Sequence, residues 1–279
     1  MGRAIAVVAL SALLVAGACG GGKTSASPPP LPDSMAAIGD SITQAFDVCC
    51  SPGEYPEHSW ATGDDDTDVV TSHYERVLAS NASIAGHVFN LSEVGAHMSD
   101  APGQAASAVA QGVEYITISM GANDLCAASA ADMTDPASFK ASFEEAMALL
   151  EDGLPSKAHI FVSSIPDIYQ LWVALNGSTA AQAFWYTFRI CESMLDRQNS
   201  EDDRQQVVLR ERELNAALEQ VCGKYSNCLF DRLATYNVRF TADEVSSLDY
   251  FNPSLEGQAA LADVTWAASW WSAASTPSG

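Results

Sequence analysis

Two spacings of apolar residues alternate along the chain. Short runs rich in apolar and β-branched residues fall at 34–38 (SMAAI), 87–91 (HVFNL), 113–119 (VEYITIS), 159–165 (HIFVSSI) and 228–230 (CLF). Runs of this length, several of them bounded by Gly or Pro, read as buried strands. Between them, apolar residues recur every three or four positions. Val70, Tyr74, Val77 and Leu78 predict a helical face over 68–80. Phe139, Phe143, Met147 and Leu150 do so over 137–150, and Val207, Leu214, Leu218 and Val221 over 203–221. A last helix is expected after Ser254, a suitable N-cap, with Leu261, Val264, Ala268 and Trp271 at helical spacing. This alternation predicts an α/β domain, a mostly parallel sheet with helices on both faces. Ligands of such sheets bind beyond the carboxyl ends of the strands. No internal repeat and no second domain is evident. Residues 167–200, with Tyr169, Trp172, Phe184, Trp185, Tyr186 and Phe188, break the pattern. They predict a helical insertion whose aromatics pack on the core rather than cover a substrate.

Composition narrows the function. The chain has 279 residues, 48% of them hydrophobic, which is enough for one sizeable core. A formal charge of −22 argues against nucleic acid as a partner, because binding it needs a basic surface. Met1-Gly2-Arg3 followed by the apolar run Ala4–Ala18 reads as a signal peptide, too short for a bilayer span. The small residues Ala16-Gly17-Ala18 directly before Cys19 resemble a bacterial lipobox, with Cys19 as the lipidated residue. Residues 19–33 then read as a flexible tether, and 273–279 as a disordered tail. The expected location is the outer face of the cytoplasmic membrane, lipid-anchored; simple secretion with cleavage at the same bond is the alternative. GACGGGKT at 17–24 matches a phosphate-binding loop, but Ser-Ala-Ser-Pro-Pro-Pro follows where that loop needs a helix.

Six cysteines lie beyond Cys19: Cys49, Cys50, Cys126, Cys191, Cys222 and Cys228. An even count in an exported chain predicts three disulfides, and fifteen connectivities are open. Cys222 and Cys228 are close enough to close a small loop. Pairing Cys126 with Cys191 leaves adjacent Cys49–Cys50 as a strained vicinal pair. No histidine spacing accompanies the cysteines, so zinc is not expected.

The polar residues after the predicted strands are those acyl transfer needs. Ser41, in Gly39-Asp40-Ser41-Ile42-Thr43, falls at a strand-to-helix turn, where its hydroxyl would be exposed. Gly95, in NLSEVGA, can bring a bare amide close to a ligand. Asn123, in Gly121-Ala122-Asn123-Asp124, can donate from its carboxamide. Three converging donors make an oxyanion hole. Asp249 and Asn252 stand three residues apart before the last helix.

In these blocks the chain resembles the SGNH family, also called GDSL-type esterases and lipases. GDSIT (39–43), NLSEVGA (90–96), GAND (121–124) and DYFNPS (249–254) occur in the family's order over roughly residues 34–271. The resemblance implies a three-layer α/β/α sandwich around a mostly parallel five-stranded, flavodoxin-like sheet spanning 34–272. It also implies a serine nucleophile that needs neither metal nor cofactor. The substrate would be a small acyl or acetyl ester, on lipid or glycan, and the protein a monomer. By position, Ser41 is the nucleophile and one oxyanion donor, Gly95 and Asn123 are the other donors, and Asp249 orients the base. Two positions depart from the pattern. Ala45 stands where the family often has Gly, and Asn252 stands where the family has its histidine base.

Asparagine cannot accept a proton at neutral pH, and a serine hydroxyl is a poor nucleophile without a base. Three readings follow. Another group supplies the base, and of His58, His73, His87, His97 and His159 only His97, two residues beyond Gly95, is placed for it. Alternatively the protein is a weak or inactive hydrolase that binds an ester-like or glycan ligand. Finally, the fold is a scaffold. A solute-binding lipoprotein lacks support, because no two-lobed organisation is visible.

Overall fold

The computed structural model describes residues 1–2 and 27–272. The expected signal segment, Cys19 and residues 273–279 lie outside the described residues. Five strands form one sheet: β1 (Met35–Gly39), β2 (Val88–Asn90), β3 (Tyr115–Ser119), β4 (His159–Val162) and β5 (Cys228–Phe230). The order is β2-β1-β3-β4-β5 and every pairing is parallel. Four of the five strands lie within the runs read from the sequence, and β1 extends one residue past its run, to Gly39. β1 and β3 are buried at every residue, which is why they read as continuous apolar runs instead of alternating ones.

The helices are α1 (His73–Leu78), α2 (Ala101–Gln111), α3 (Ala122–Leu125), α4 (Pro136–Gly153), α5 (Ile168–Leu175), α6 (Thr179–Phe188), α7 (Glu192–Leu195), α8 (Glu201–Cys222) and α9 (Leu255–Ala268). On one face α2, α4 and α8 cover Ala36, Ile38, Ile116, Ile118, Ile160 and Val162 through Ala105, Phe143, Met147, Leu214 and Leu218. On the other, α1 and α9 cover Met35, Tyr115 and Phe161 through Tyr74, Val77 and Trp266. The result is the expected three-layer α/β/α sandwich. No described helix is long and apolar enough to cross a membrane.

Three local expectations need correcting. The helix read over 68–80 begins only at His73. The Ser72 hydroxyl accepts from the Glu75 amide while the Glu75 carboxylate accepts from the Ser72 amide, and this reciprocal cap fixes the start. The end of the presumed tether is docked: the Pro29 carbonyl accepts the Trp271 indole N–H at 2.8 Å, and Leu31 packs beside Met35 and Trp271. Two disulfides are present, Cys126–Cys191 and Cys222–Cys228. Cys49 and Cys50 are thiols, their sulfurs 2.7 Å apart. Neighbouring Cα atoms are about 3.8 Å apart across a trans peptide, closer than the usual span of a disulfide. Burial, the Cys50 contact and the nearby carboxylates of Glu57 and Asp68 push the Cys49 thiol up to about 12.

Candidate active site

The nucleophile candidate sits on a sharp turn. β1 ends at Gly39, whose amide donates to Gln104 Oε1 (2.7 Å) and whose carbonyl accepts from Gln104 Nε2 (2.9 Å). Residues 41–47 then form consecutive turns and not the expected helix. The Thr43 and Gln44 amides donate to the Asp40 carbonyl, and the Phe46 amide donates to the Ser41 carbonyl at 3.0 Å. Two non-glycine residues here are left-handed, Ala45 (φ 50) and Asp47 (φ 54). That conformation disfavours side chains by about 1–2 kcal/mol per residue, a cost that glycine at position 45 would not carry. The Asp40 carboxyl is buried and accepts from the Ile42 amide at 3.0 Å. Burial above all, with Asp124 adding repulsion, moves it from 3.8 to about 7.

The donors come from two neighbouring loops. Gly95 adopts φ 79, a conformation suited to glycine. Asn123 lies in α3, and its Nδ2 donates to the Ala96 carbonyl at 2.9 Å, holding the carboxamide against the Gly95 loop. Ahead of it Gly121 (φ 127) packs where a Cβ would lie 2.5 Å from Ile165 Cδ1, so nothing larger fits.

The base arm folds as its spacing suggested. Asp249 Oδ1 accepts from the Phe251 amide (2.8 Å) and the Asn252 amide (3.0 Å), and Oδ2 accepts from Asn252 Nδ2 at 2.6 Å. Burial raises the Asp249 pKa against these hydrogen bonds. The bond from Nδ2 orients the Asn252 carboxamide, and its Oδ1 is buried without a partner. Ser254 caps α9 through the Gly257 amide, as read from the sequence. Gln258, one turn on, donates to the Ile42 carbonyl (2.7 Å) and accepts from the Trp60 amide (2.9 Å). It thereby ties the last helix to the nucleophile turn.

Ser41, Gly95, Asn123, Asp249 and Asn252 all border one cavity of about 380 Å³. His97 does not border it; its ring is half exposed and faces Asp124 Oδ1 at 3.8 Å. No other histidine borders it either. His73 is buried between the Tyr115 hydroxyl and the Thr265 hydroxyl, each at 2.9 Å, and burial lowers its pKa to about 3. The surrogate-base role expected of His97 therefore has no geometric support.

The insertion does two jobs where one was expected. Trp185 is buried in the core, and its indole N–H donates to the Tyr250 carbonyl at 2.9 Å. Phe184, Phe188 and Ile190 instead border the cavity, beside the Cys126–Cys191 bridge, and Phe188 is 61% exposed. Sequence reasoning also missed Asp47, a second carboxylate on the cavity wall. Its spacing from Ser41 matches no motif.

No curated protein sequence matches the chain. Among solved structures it is similar to a protein described as a GDSL-like lipase from Parabacteroides merdae. That match has a TM-score of 0.55 at 15% identity over 87% of this chain and 98% of the other. It is also similar to an acetylxylan esterase from Geobacillus stearothermophilus, with a TM-score of 0.52 at 17% identity over 85% and 95% of the two chains. These likenesses concern the fold. The profile of the GDSL-like Lipase/Acylhydrolase family matches residues 35–265, which span the whole sheet and every residue of the candidate site, and the chain belongs to that family.

Proposed function

We propose that the protein is a carboxylic-ester hydrolase acting through Ser41. The observation that carries this reading is the convergence of Ser41, Gly95, Asn123, Asp249 and Asn252 on one cavity. Ser41 Oγ attacks the ester carbonyl, and the oxyanion is held by the amides of Ser41 and Gly95 with the Asn123 carboxamide. Each such donor is worth about 2.7–4 kcal/mol in a serine hydrolase. Phe46, Val94, Phe184, Phe188, Ile190 and Phe251 supply the apolar part of the lining, a setting that suits an acyl chain over a bare acetyl group. Asn252 holds the place of the base without its chemistry. Removing that base from a complete triad lowers turnover by about a million-fold, while an oxyanion hole alone retains about 10³–10⁴ over water. The enzyme is accordingly slow. The residues before Cys19 support a lipid-anchored location at the membrane surface.

The test is hydrolysis of p-nitrophenyl butyrate by the purified protein beside Ser41→Ala. Wild-type turnover above background, abolished in Ser41→Ala, is the expected result. A second reading is favoured by the buried, unpartnered Asn252 Oδ1: the cavity binds an ester or glycan without cleaving it. Equal background rates in both proteins would replace the enzyme by that binder.

A further inference from the structure

Asn252 cannot take the Ser41 proton, but the cavity contains a group that can. Two carboxylates border it, Asp249 and Asp47. Asp249 is engaged on both oxygens, which accept from the Phe251 and Asn252 amides and the Asn252 carboxamide. Asp47 is engaged on one side only. Its Oδ1 accepts from the Gly53 amide at 2.8 Å, and among the described residues no donor reaches Oδ2. Its main chain is clamped from two directions. Its amide donates to the Gly53 carbonyl at 2.7 Å, and the Ser246 hydroxyl donates to its carbonyl. The Ser246 amide in turn donates to the Asn252 carbonyl at 2.8 Å. On the other side the Phe46 amide, one residue before Asp47, donates to the Ser41 carbonyl. Asp47 thus sits where the nucleophile turn meets the base arm, in the left-handed conformation noted above. The other charged groups on the cavity wall are Asp249 and Arg189, the latter paired with Glu192 at 3.0 Å.

Resting on the ester-hydrolase reading of Ser41, we propose that Asp47 is the proton acceptor of this site, in the place of the missing imidazole. As the bond from Ser41 Oγ to the acyl carbon forms, the hydroxyl proton passes to the Asp47 carboxylate, directly or through one water. As the ester C–O bond breaks, that proton goes to the departing alkoxide, leaving Ser41 acylated. Water repeats the cycle: its proton goes to Asp47 and then to Ser41 Oγ as the carboxylic acid leaves. A carboxylate is a weaker base than imidazole by roughly two to three pH units. A basic alkoxide needs a strong push of its proton to leave, whereas an acidic leaving group departs with little help, so a weak base suffices only for the latter. The substrate class is therefore esters of acidic alcohols, phenols and enols, rather than alkyl esters.

The experiment measures kcat/KM against pH with phenyl and ethyl butyrate, using wild type, Ser41→Ala, Asp47→Asn, Asn252→His and the double variant Asp47→Asn/Asn252→His. Asp47→Asn retains an oxygen for the Gly53 amide. It should lower phenyl ester turnover about 10²-fold or more, the lower range for a general base, and remove the acid limb of the wild-type profile. In the Asn252→His background the same change should cost less than threefold, because the imidazole then takes the proton. Wild-type rates and an unchanged acid limb in Asp47→Asn would overturn the proposal while Ser41→Ala remains inactive. If Ser41→Ala is as fast as wild type, it is the hydrolase reading that fails. Should Asp47→Asn not fold, Asp47→Glu serves: an unchanged pH profile and equal preference for ethyl and phenyl esters also overturn the proposal.

Discussion

The two loops that meet over the cavity, 39–47 and 246–254, differ in what they have kept. The nucleophile turn holds its serine with a left-handed backbone at Ala45 and Asp47 and a buried carboxyl at Asp40. The base arm puts three donors on Asp249, the Phe251 and Asn252 amides and the Asn252 carboxamide. Yet the arm carries an amide where proton transfer needs a base. A loop's architecture and its chemistry are separately specified. Backbone amides and one aspartate shape the arm, while a single side chain decides what it can do.

The largest effect should come from restoring that side chain. Asn252→His can present Nδ1–H to Asp249 in place of Nδ2–H and turn the other nitrogen toward the cavity. About a 100-fold gain in ester turnover is expected, some 2.7 kcal/mol of transition-state stabilisation, rising with pH through the imidazole pKa. Stopped-flow or plate assays across pH 5–9 would measure it. No gain in a folded protein would mean that the arm has lost its alignment as well as its base.

A smaller effect probes the turn. The Asp40 carboxyl is raised from 3.8 to about 7 by burial, so the folded state holds a proton there that the unfolded chain releases. Its stabilisation is full below about pH 4 and is lost as pH rises through about 7, at up to about 1.4 kcal/mol per pH unit. His73 acts with the opposite sign. Its pKa is depressed to about 3, so stability falls as pH drops from 6.5 toward 3. Wild type should therefore be compared with Asp40→Asn, in which His73 is common to both. Urea unfolding at pH 5, 6 and 7 should show wild type losing stability relative to the variant. Parallel curves would mean that Asp40 is ionised throughout.

The smallest effect concerns the wall facing both loops. Phe188→Ala should reduce the preference for octanoyl over acetyl phenyl esters by about 1 kcal/mol, some fivefold in the kcat/KM ratio, with acetate rates unchanged. An unchanged ratio would separate the insertion from substrate choice.

The strands were legible because burial on both faces writes a run of β-branched residues, as in Tyr115–Ser119. Ser41, Gly95, Asn123 and Asp249 were legible because they fall in short blocks that follow a strand or precede the last helix, and the structure brings all four to one cavity. The helix α2 was not, because its buried face is built from Ala101, Gln104, Ala105 and Ala108, too small to mark a stripe. Its ends were nevertheless signed, by Pro102 in the first turn and by Gly112 in the left-handed cap. Asp47 was invisible for a different reason. Its position depends on Ser246 and Gly53, contacts that chain spacing does not encode.

The Cys126–Cys191 bridge joins the end of α3, which carries Asn123, to the start of α7, just past the cavity-lining Phe188 and Ile190. It closes a span of 65 residues that contains α4, β4, α5 and α6. The bridge thus ties the Asn123 loop to the aromatic wall of the cavity. Closing the bridge needs an oxidant, which the sheet, the turn and the arm do not. The redox state of the compartment the protein reaches therefore sets how firmly Phe188 and Ile190 are held beside Asn123.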